Sequence, residues 1–178
     1  MGKHIETMKR WMDSFASDVA AVQGLVDNEK IPREARLAGA AALNYMVTRL
    51  DLIPDWEESC GLIDDAMVLR VAMADAAERD LDALTGEVMR GVHRLANEAE
   101  GVKTVLGDIY PRFKRYVTEL GNVVVRGRHP RVIVDDGKQR EQLFDEIEND
   151  LQRLPLPTMT DPDRVERTVM NYLSQRLK

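Results

Sequence analysis

Four aspartates close together in the sequence are the residues with the clearest capacity for chemistry. Asp51, Asp55, Asp64 and Asp65 lie in the stretch 51–65, between two apolar patterns of helical spacing. Two helix ends that meet at this turn would bring the carboxylates together. Carboxylate oxygens are the hard ligands that select Mg²⁺, Mn²⁺ or Ca²⁺. One hypothesis is therefore a divalent-cation site, and with it a metal-dependent hydrolase.

The same aspartates have a structural interpretation that needs no ion. Residues 55–58 (Asp-Trp-Glu-Glu) fit a capping box with the aspartate as N-cap. Asp64 or Asp65 would cap the next helix, and Asp51 would pair with an arginine or a turn amide. Caps of this kind contribute about 1 kcal/mol each. The sequence favours this interpretation, in which the carboxylates hold chain ends in place and perform no reaction.

Other catalytic chemistry has little support in the sequence. Cys60 is the only cysteine, so an intrachain disulfide is excluded and a reducing compartment fits. His4, His93 and His129 are scattered, which argues against zinc. A phosphate-binding glycine loop and a nucleophile elbow are both missing.

A basic segment forms a second candidate site. Residues 103–131 carry 7 basic and 2 acidic side chains, although the whole chain has a net charge of −6. Aromatic residues alternate with these cations, a pattern typical of surfaces that bind phosphate or single strands. The alternatives are a solvated face that pairs with acidic parts of the same chain, or a docking site for an acidic protein. The candidate residues are Arg112, Lys114, Arg115, Arg126, Arg128, His129 and Arg131.

Helical patterns dominate the chain and must position these residues. The first pattern is a heptad stripe, which predicts either a helix that lies on the core or a homodimer seam. Its members are Ile5, Met8, Met12, Phe15, Val19, Val22 and Val26. Further helices are expected from Ile31-Pro32, after the aspartate turn, from Thr85 to Gly101, from Val102 to Gly121, after Asp136 and after Asp161.

In the valine-rich runs 123–125 and 132–134, the apolar residues no longer follow helical spacing. These β-branched runs predict a small β-hairpin over 122–135. The predicted fold is mainly α, a multi-helix bundle with a central helical hairpin and one β-hairpin in its C-terminal part. We expect a helical domain over residues 1–101 and a C-terminal helical subdomain over residues 102–178.

The aspartate turn also resembles a known family. Tyr45, the string Asp51-Leu52-Ile53-Pro54-Asp55, Gly61 and the pair Asp64-Asp65 fall in the register of the YkvA-like core. The similarity covers about residues 32–72, and it departs from the family at 48–49 and 56–58. YkvA-like domains occur in many bacterial proteins and have no settled function. The resemblance therefore implies a helical hairpin rather than a reaction.

Composition completes the expectation for function. Hydrophobic residues make up 44% of the chain and charged residues 31%, as in ordinary globular proteins. No apolar run approaches the roughly 20 residues that span a bilayer, and the N-terminus lacks a signal-peptide core. We expect a cytoplasmic, non-enzymatic interaction or adaptor protein that binds another protein. Nucleic-acid or polyanion binding through residues 112–131 is the first alternative. The hydrolase is the second, and Mg²⁺ or a similar cation is the one cofactor considered.

Overall fold

The computed structural model describes residues 2–48 and 51–178, and it confirms that the fold is mainly α. Among these residues, two short 3-10 helices, Gly107–Ile109 and Leu120–Asn122, lie on either side of the α-helix Tyr110–Glu119. The α-helices in the described residues are α1 (Ile5–Asp13), α2 (Phe15–Asp27), α3 (Arg33–Met46), α4 (Ile63–Ala76), α5 (Gly86–Leu106), α6 (Tyr110–Glu119), α7 (Pro130–Asp135), α8 (Gly137–Arg153) and α9 (Pro162–Arg176).

Helix α4 is the centre of the structure. Every residue from Ile63 to Met73 is buried. Helices α3 and α5 pack against α4, and α1, α2 and α6 also contact it. A helix that is buried on all sides is typical of a core position. Small residues let its neighbours approach one another closely. A Cβ at Gly39 of α3, for example, would lie 2.7 Å from a methyl group of Val26.

The N-terminal heptad stripe packs inside its own chain. It is divided between α1 and α2, which meet at Ser14, and all of its members are buried. Because the stripe is covered by α3, α4 and α5, self-association through it would require its release from the core. The core-helix interpretation therefore fits the structure better than the homodimer seam.

The predicted β-hairpin is wrong. Residues 132–134 belong to α7, which begins at Pro130 and turns Ile133 and Val134 into the core. Proline at the first helical position fixes a helical φ, and burial of these side chains overrides their β propensity. Within the part of the chain that the structure describes, a single isolated bridge forms, between Val125 and Arg128.

The predicted helix end at Gly101 is also wrong, because α5 continues to Leu106. Gly101 lies beside α1, where an added Cβ would be 3.5 Å from the Trp11 ring. The expected domain boundary at residue 101 therefore falls within a helix. Residues from both sides of that boundary, such as Leu95 and Phe113, share one hydrophobic cluster.

A buried ion-pair network joins four of the helices. Arg70 of α4 is fully buried, and its Nη2 lies 3.0 Å from Asp18 Oδ2 of α2. Its Nε donates to Glu98 of α5 at 2.8 Å, and its guanidinium stacks 5.0 Å from the Trp11 ring centroid of α1. Arg94 also pairs with Asp18. Each buried charge in this network has a partner of opposite charge. Loss of one partner would leave the remaining charge unpaired in the apolar interior.

Arg70→Met should therefore lower the free energy of unfolding by about 3–5 kcal/mol, because it leaves Asp18 buried with one partner fewer. Urea denaturation followed by circular dichroism measures the change. Arg79→Met is the matched control, since Arg79 is exposed and pairs with exposed Glu78; its effect should stay within about 0.5 kcal/mol. Equal effects of the two substitutions would show that the buried network does not hold the helices together.

Candidate metal centre

Residues 51–62, in the connection between α3 and α4, form a compact series of turns. The Glu57 amide donates to the Pro54 carbonyl at 2.9 Å, and the Gly61 amide donates to the Glu57 carbonyl at 2.8 Å. Gly61 is needed because a Cβ there would lie 2.7 Å from the Asp55 carbonyl oxygen. Leu62 then adopts a left-handed φ of 72° and starts α4. This geometry directs the aspartates on both sides of the turn towards one another.

Tyr45 and Asp64 fix the turn to α3. The Tyr45 hydroxyl donates to Asp64 Oδ2 at 2.5 Å and accepts from the Leu52 amide at 3.0 Å. The Ile53 amide donates to the same Asp64 oxygen at 3.0 Å. Asp64 is fully buried, so these charge-assisted hydrogen bonds form away from water, where they are strong. Asp64 therefore positions the chain around the site.

The other three aspartates converge. One carboxylate oxygen from each of Asp51, Asp55 and Asp65 lies within 4.8 Å of the others. The exposed fractions of Asp51 and Asp65 are 4% and 1%. The structure thus brings together three of the four predicted ligands, while the fourth, Asp64, is held by Tyr45.

Several oxygens in this cluster have no hydrogen-bond partner among the residues that the structure describes. Both carboxylate oxygens of Asp51, both of Asp65 and Oδ1 of Asp64 are in this state. A buried ionised carboxylate without a partner is strongly unfavourable, by several kcal/mol even after relaxation. The charge of this cluster must therefore be compensated by protons or by a cation.

The electrostatics of the cluster follow from its burial. Removal from water raises the pKa of Asp51 to about 9, and the negative charges of Asp64 and Asp55 add to this effect. Burial raises the pKa of Asp64 to about 6, against the lowering effect of the hydrogen bond from Tyr45. The pKa of Asp65 is raised well above its ordinary value by burial and by Asp64 and Asp51. Without a cation, the site holds protons near neutral pH.

The capping interpretation of the aspartates is not what the structure shows. Residues 55–58 lie in turns rather than at the start of a helix, so a capping box has no helix to cap. Leu62 occupies the N-cap position of α4, and no side chain caps that end. Asp64 lies in the first turn of α4, but its side chain bonds to Tyr45 and to the Ile53 amide.

The basic segment is largely engaged by the same chain. Arg126 and Arg128 both pair with Glu146 of α8, at 3.1 and 2.7 Å, and Arg128 is buried. Arg112 and Arg115 of α6 donate to the C-terminal carbonyl groups of residues 177 and 178.

The remaining members of the segment are placed differently. The His129 side chain accepts from the Arg131 amide and caps α7. Lys114 and the Arg131 side chain are exposed. This arrangement resembles the solvated, internally paired face more than a continuous track of free cations. Binding of a polyanion through these residues stays a prediction.

Some residues of the site region were not identified from the sequence. Arg176, near the end of α9, donates to the Asp51 carbonyl and ties the C-terminal helix to the turn. The Thr158 amide donates to the Glu58 carbonyl at 3.2 Å and adds a second tie. These partners are more than 95 residues from the turn, and no local pattern signals such contacts. The Tyr45 hydroxyl could have been found, since Tyr45 belongs to the motif.

Comparison of the chain with protein-family models, with curated proteins and with solved structures gives no match. The similarity to YkvA-like domains therefore remains a resemblance carried by the motif at residues 45–65. Among the described residues, none of the helices combines the length and the apolar character that crossing a bilayer requires.

The raised pKa values predict an unusual pH dependence for the metal-free protein. Asp51 titrates near 3.9 in the unfolded chain and at about 9 in the folded chain, so between these values the folded state binds more protons. Stability should therefore fall as pH rises from 5 to 8 in EDTA, by up to about 1.4 kcal/mol per pH unit for each carboxyl that stays protonated only when folded. Urea denaturation at the two pH values measures this.

Asp51→Asn, which removes one titrating carboxyl, should flatten the dependence of stability on pH. Exposed Asp82→Asn should leave it unchanged. A metal-free protein whose stability rises from pH 5 to pH 8 would contradict the assignment of raised pKa values.

Proposed function

We propose that this protein is a divalent-cation-binding helical protein, in which an ion at Asp51, Asp55 and Asp65 holds the α3–α4 connection in place. The observation that carries the proposal is the pair of buried carboxylates, Asp51 and Asp65, whose oxygens have no hydrogen-bond partner among the described residues. An ion with two positive charges would compensate them directly.

The dimensions of the cluster support an ion of the size of Mg²⁺ to Ca²⁺. Oxygens on opposite sides of such an ion are separated by about 4–5 Å, twice the metal–oxygen distance. The three carboxylate oxygens lie within 4.8 Å of one another, in agreement with that separation. Carboxylates alone, without histidine or thiolate, favour Mg²⁺, Mn²⁺ or Ca²⁺ over zinc.

The burial of the carboxylates supports a structural role for the ion rather than a catalytic one. A hydrolytic metal needs an open coordination position and room for the substrate. Asp51 and Asp65 are nearly inaccessible, and the turn that carries them is tied to α9 through Arg176. The ion would thus stabilise a module that acts by binding rather than by catalysis. This agrees with a non-enzymatic interaction or adaptor protein.

The proposal also includes a family and a cellular location for the protein. We retain membership of the YkvA-like family on the strength of Tyr45 and the motif at residues 51–65. A cytoplasmic location is supported by the single buried Cys60, whose thiol pKa is raised to about 12 by burial and which is therefore poorly suited to oxidation.

Addition of Mg²⁺, Mn²⁺ or Ca²⁺ to EDTA-treated protein should raise its melting temperature in a saturable way. At a metal concentration 100 times the dissociation constant, the gain is about 2.7 kcal/mol, or roughly 5–10 °C for a chain of this size. Differential scanning fluorimetry measures the shift, and electron paramagnetic resonance of Mn²⁺ gives the number of bound ions.

Asp65→Asn should abolish both the thermal shift and the bound Mn²⁺ signal, since it removes a ligand without changing the shape of the side chain. Asp82→Asn, which alters an exposed aspartate outside the cluster, should bind like the unmodified protein. The proposal fails if millimolar concentrations of all three metals leave the melting temperature unchanged. Metal-dependent phosphodiester hydrolysis that is lost in Asp65→Asn would instead support the hydrolase alternative.

A further inference from the structure

A cleft of about 330 Å³ is lined by two parts of the chain, the aspartate turn and the start of α9. The turn contributes residues 56–59, and the segment 158–165 contributes the rest of the lining. The Thr158 amide joins the two parts through its hydrogen bond to the Glu58 carbonyl. The volume lies at the lower end of the range for ligand sites, and the walls are mainly polar. The cleft therefore suits a small polar group better than an apolar molecule.

An exposed tryptophan belongs to the lining of this polar cleft. Trp56 is 64% exposed, more than any other large apolar side chain in the described residues, whereas Trp11 is 2% exposed. Tryptophan side chains are highly buried on average, so an exposed one marks a surface that gains from being covered. The face of the indole ring attracts cations, and a planar guanidinium can also stack on it. Trp56 therefore points to a cationic partner.

The charge of the lining also favours a cation. Three of its side chains are acidic, Glu57, Glu58 and Asp161, against one basic side chain, Arg164. Asp161 is engaged as the N-cap of α9, where it accepts from the Arg164 amide at 3.1 Å. Glu57 accepts from the Ser59 hydroxyl at 2.8 Å, and neither glutamate forms an ion pair within the part of the chain that the structure describes. Two carboxylates next to an exposed tryptophan can thus attract a positive charge.

We propose that this cleft binds an arginine side chain of a basic partner protein, whose guanidinium stacks on the Trp56 ring and faces the carboxylates of Glu57 and Glu58. Arginine fits better than lysine, because its planar group both stacks on an aromatic ring and pairs with carboxylates. Insertion of Trp56 into a lipid bilayer would instead bring the two glutamates towards an apolar phase, which is costly. The proposal names a kind of partner for a protein that acts by binding. It rests on the proposed function in one respect only, since the ion would hold the turn that carries Trp56.

The test uses the full chain and the peptide acetyl-Gly-Arg-Ser-Arg-Gly-amide. A control peptide carries citrulline, which is uncharged and of similar shape, in place of each arginine. In ¹H–¹⁵N spectra at about 20 mM salt, where screening is weak, the arginine peptide should cause a saturable shift of the Trp56 indole signal. That signal is identified by its loss in Trp56→Phe, and the signal of buried Trp11 should not move. The citrulline peptide should bind about fivefold more weakly, because it lacks the positive charge.

Trp56→Ala should weaken binding of the arginine peptide about fivefold, because it removes the ring on which the guanidinium stacks. Binding to this variant is followed at the backbone amides of residues 158–161. Val132→Ala is the matched control, since Val132 is exposed in α7 and lies outside the cleft lining. Its replacement should leave the affinity unchanged, and far-UV circular dichroism checks that both variants are folded.

The double substitution Glu57→Gln/Glu58→Gln should weaken binding about threefold, because it removes the charges that face the guanidinium. Glu148→Gln, which alters an exposed glutamate of α8, should bind the peptide like the unmodified protein. Added salt should weaken binding to the unmodified protein more than binding to the double variant.

The titrations are made with Mg²⁺ and repeated in EDTA, and binding in either condition supports the proposal. A protein that Mg²⁺ stabilises but that gives no saturable shift with millimolar peptide would overturn this proposal and leave the cation site standing. Equal affinity for the arginine and citrulline peptides would overturn recognition of the charge, and binding that survives Trp56→Ala unweakened would overturn the location. If phosphatidylcholine vesicles, and not the peptide, shift Trp56, the turn contacts lipid and the proposal is wrong.

Discussion

The structure depends on how it accommodates carboxylates that it removes from water. Asp64 is buried, and Tyr45 and the Ile53 amide donate to one of its two oxygens. Asp51 and Asp65 are buried beside it without such partners among the described residues. The cost of this arrangement is tolerable only if protons or a cation neutralise the cluster. The proposed ion would give the turn a physical reason to carry several aspartates.

The two buried charge clusters of the core differ in how their charges are compensated. Asp18 is compensated by Arg70 and Arg94, and that network joins α1, α2, α4 and α5 with no need of a ligand. Among the described residues, the carboxylates of Asp51 and Asp65 at the N-terminal end of α4 accept no hydrogen bond from an arginine. Arg176 reaches the turn but donates to the Asp51 backbone carbonyl rather than to the carboxylate. One end of the core compensates its charges with its own side chains, whereas Asp51 and Asp65 at the other end have no hydrogen-bond partner among the described residues.

Local patterns predicted the helices well, and distant contacts explain most of what they missed. Asp136 and Asp161 cap α8 and α9 as their sequences indicate, since an N-cap is a local feature. The β-branched residues 132–134 suggested a strand, but they belong to α7, and burial of Ile133 and Val134 decides their structure. The convergence of Asp51, Asp55 and Asp65 was predictable from the turn. The commitment of Asp64 to Tyr45 and the pairing of Arg70 with Asp18, 52 residues away, depend on tertiary packing.

The most direct test of the central claim is a crystal structure of the protein grown with Mn²⁺, with anomalous diffraction collected at the manganese edge. The account predicts one anomalous peak within about 2.6 Å of carboxylate oxygens from Asp51, Asp55 and Asp65. A cluster without a peak, in which neighbouring carboxyl groups share protons through short oxygen–oxygen contacts, would contradict it.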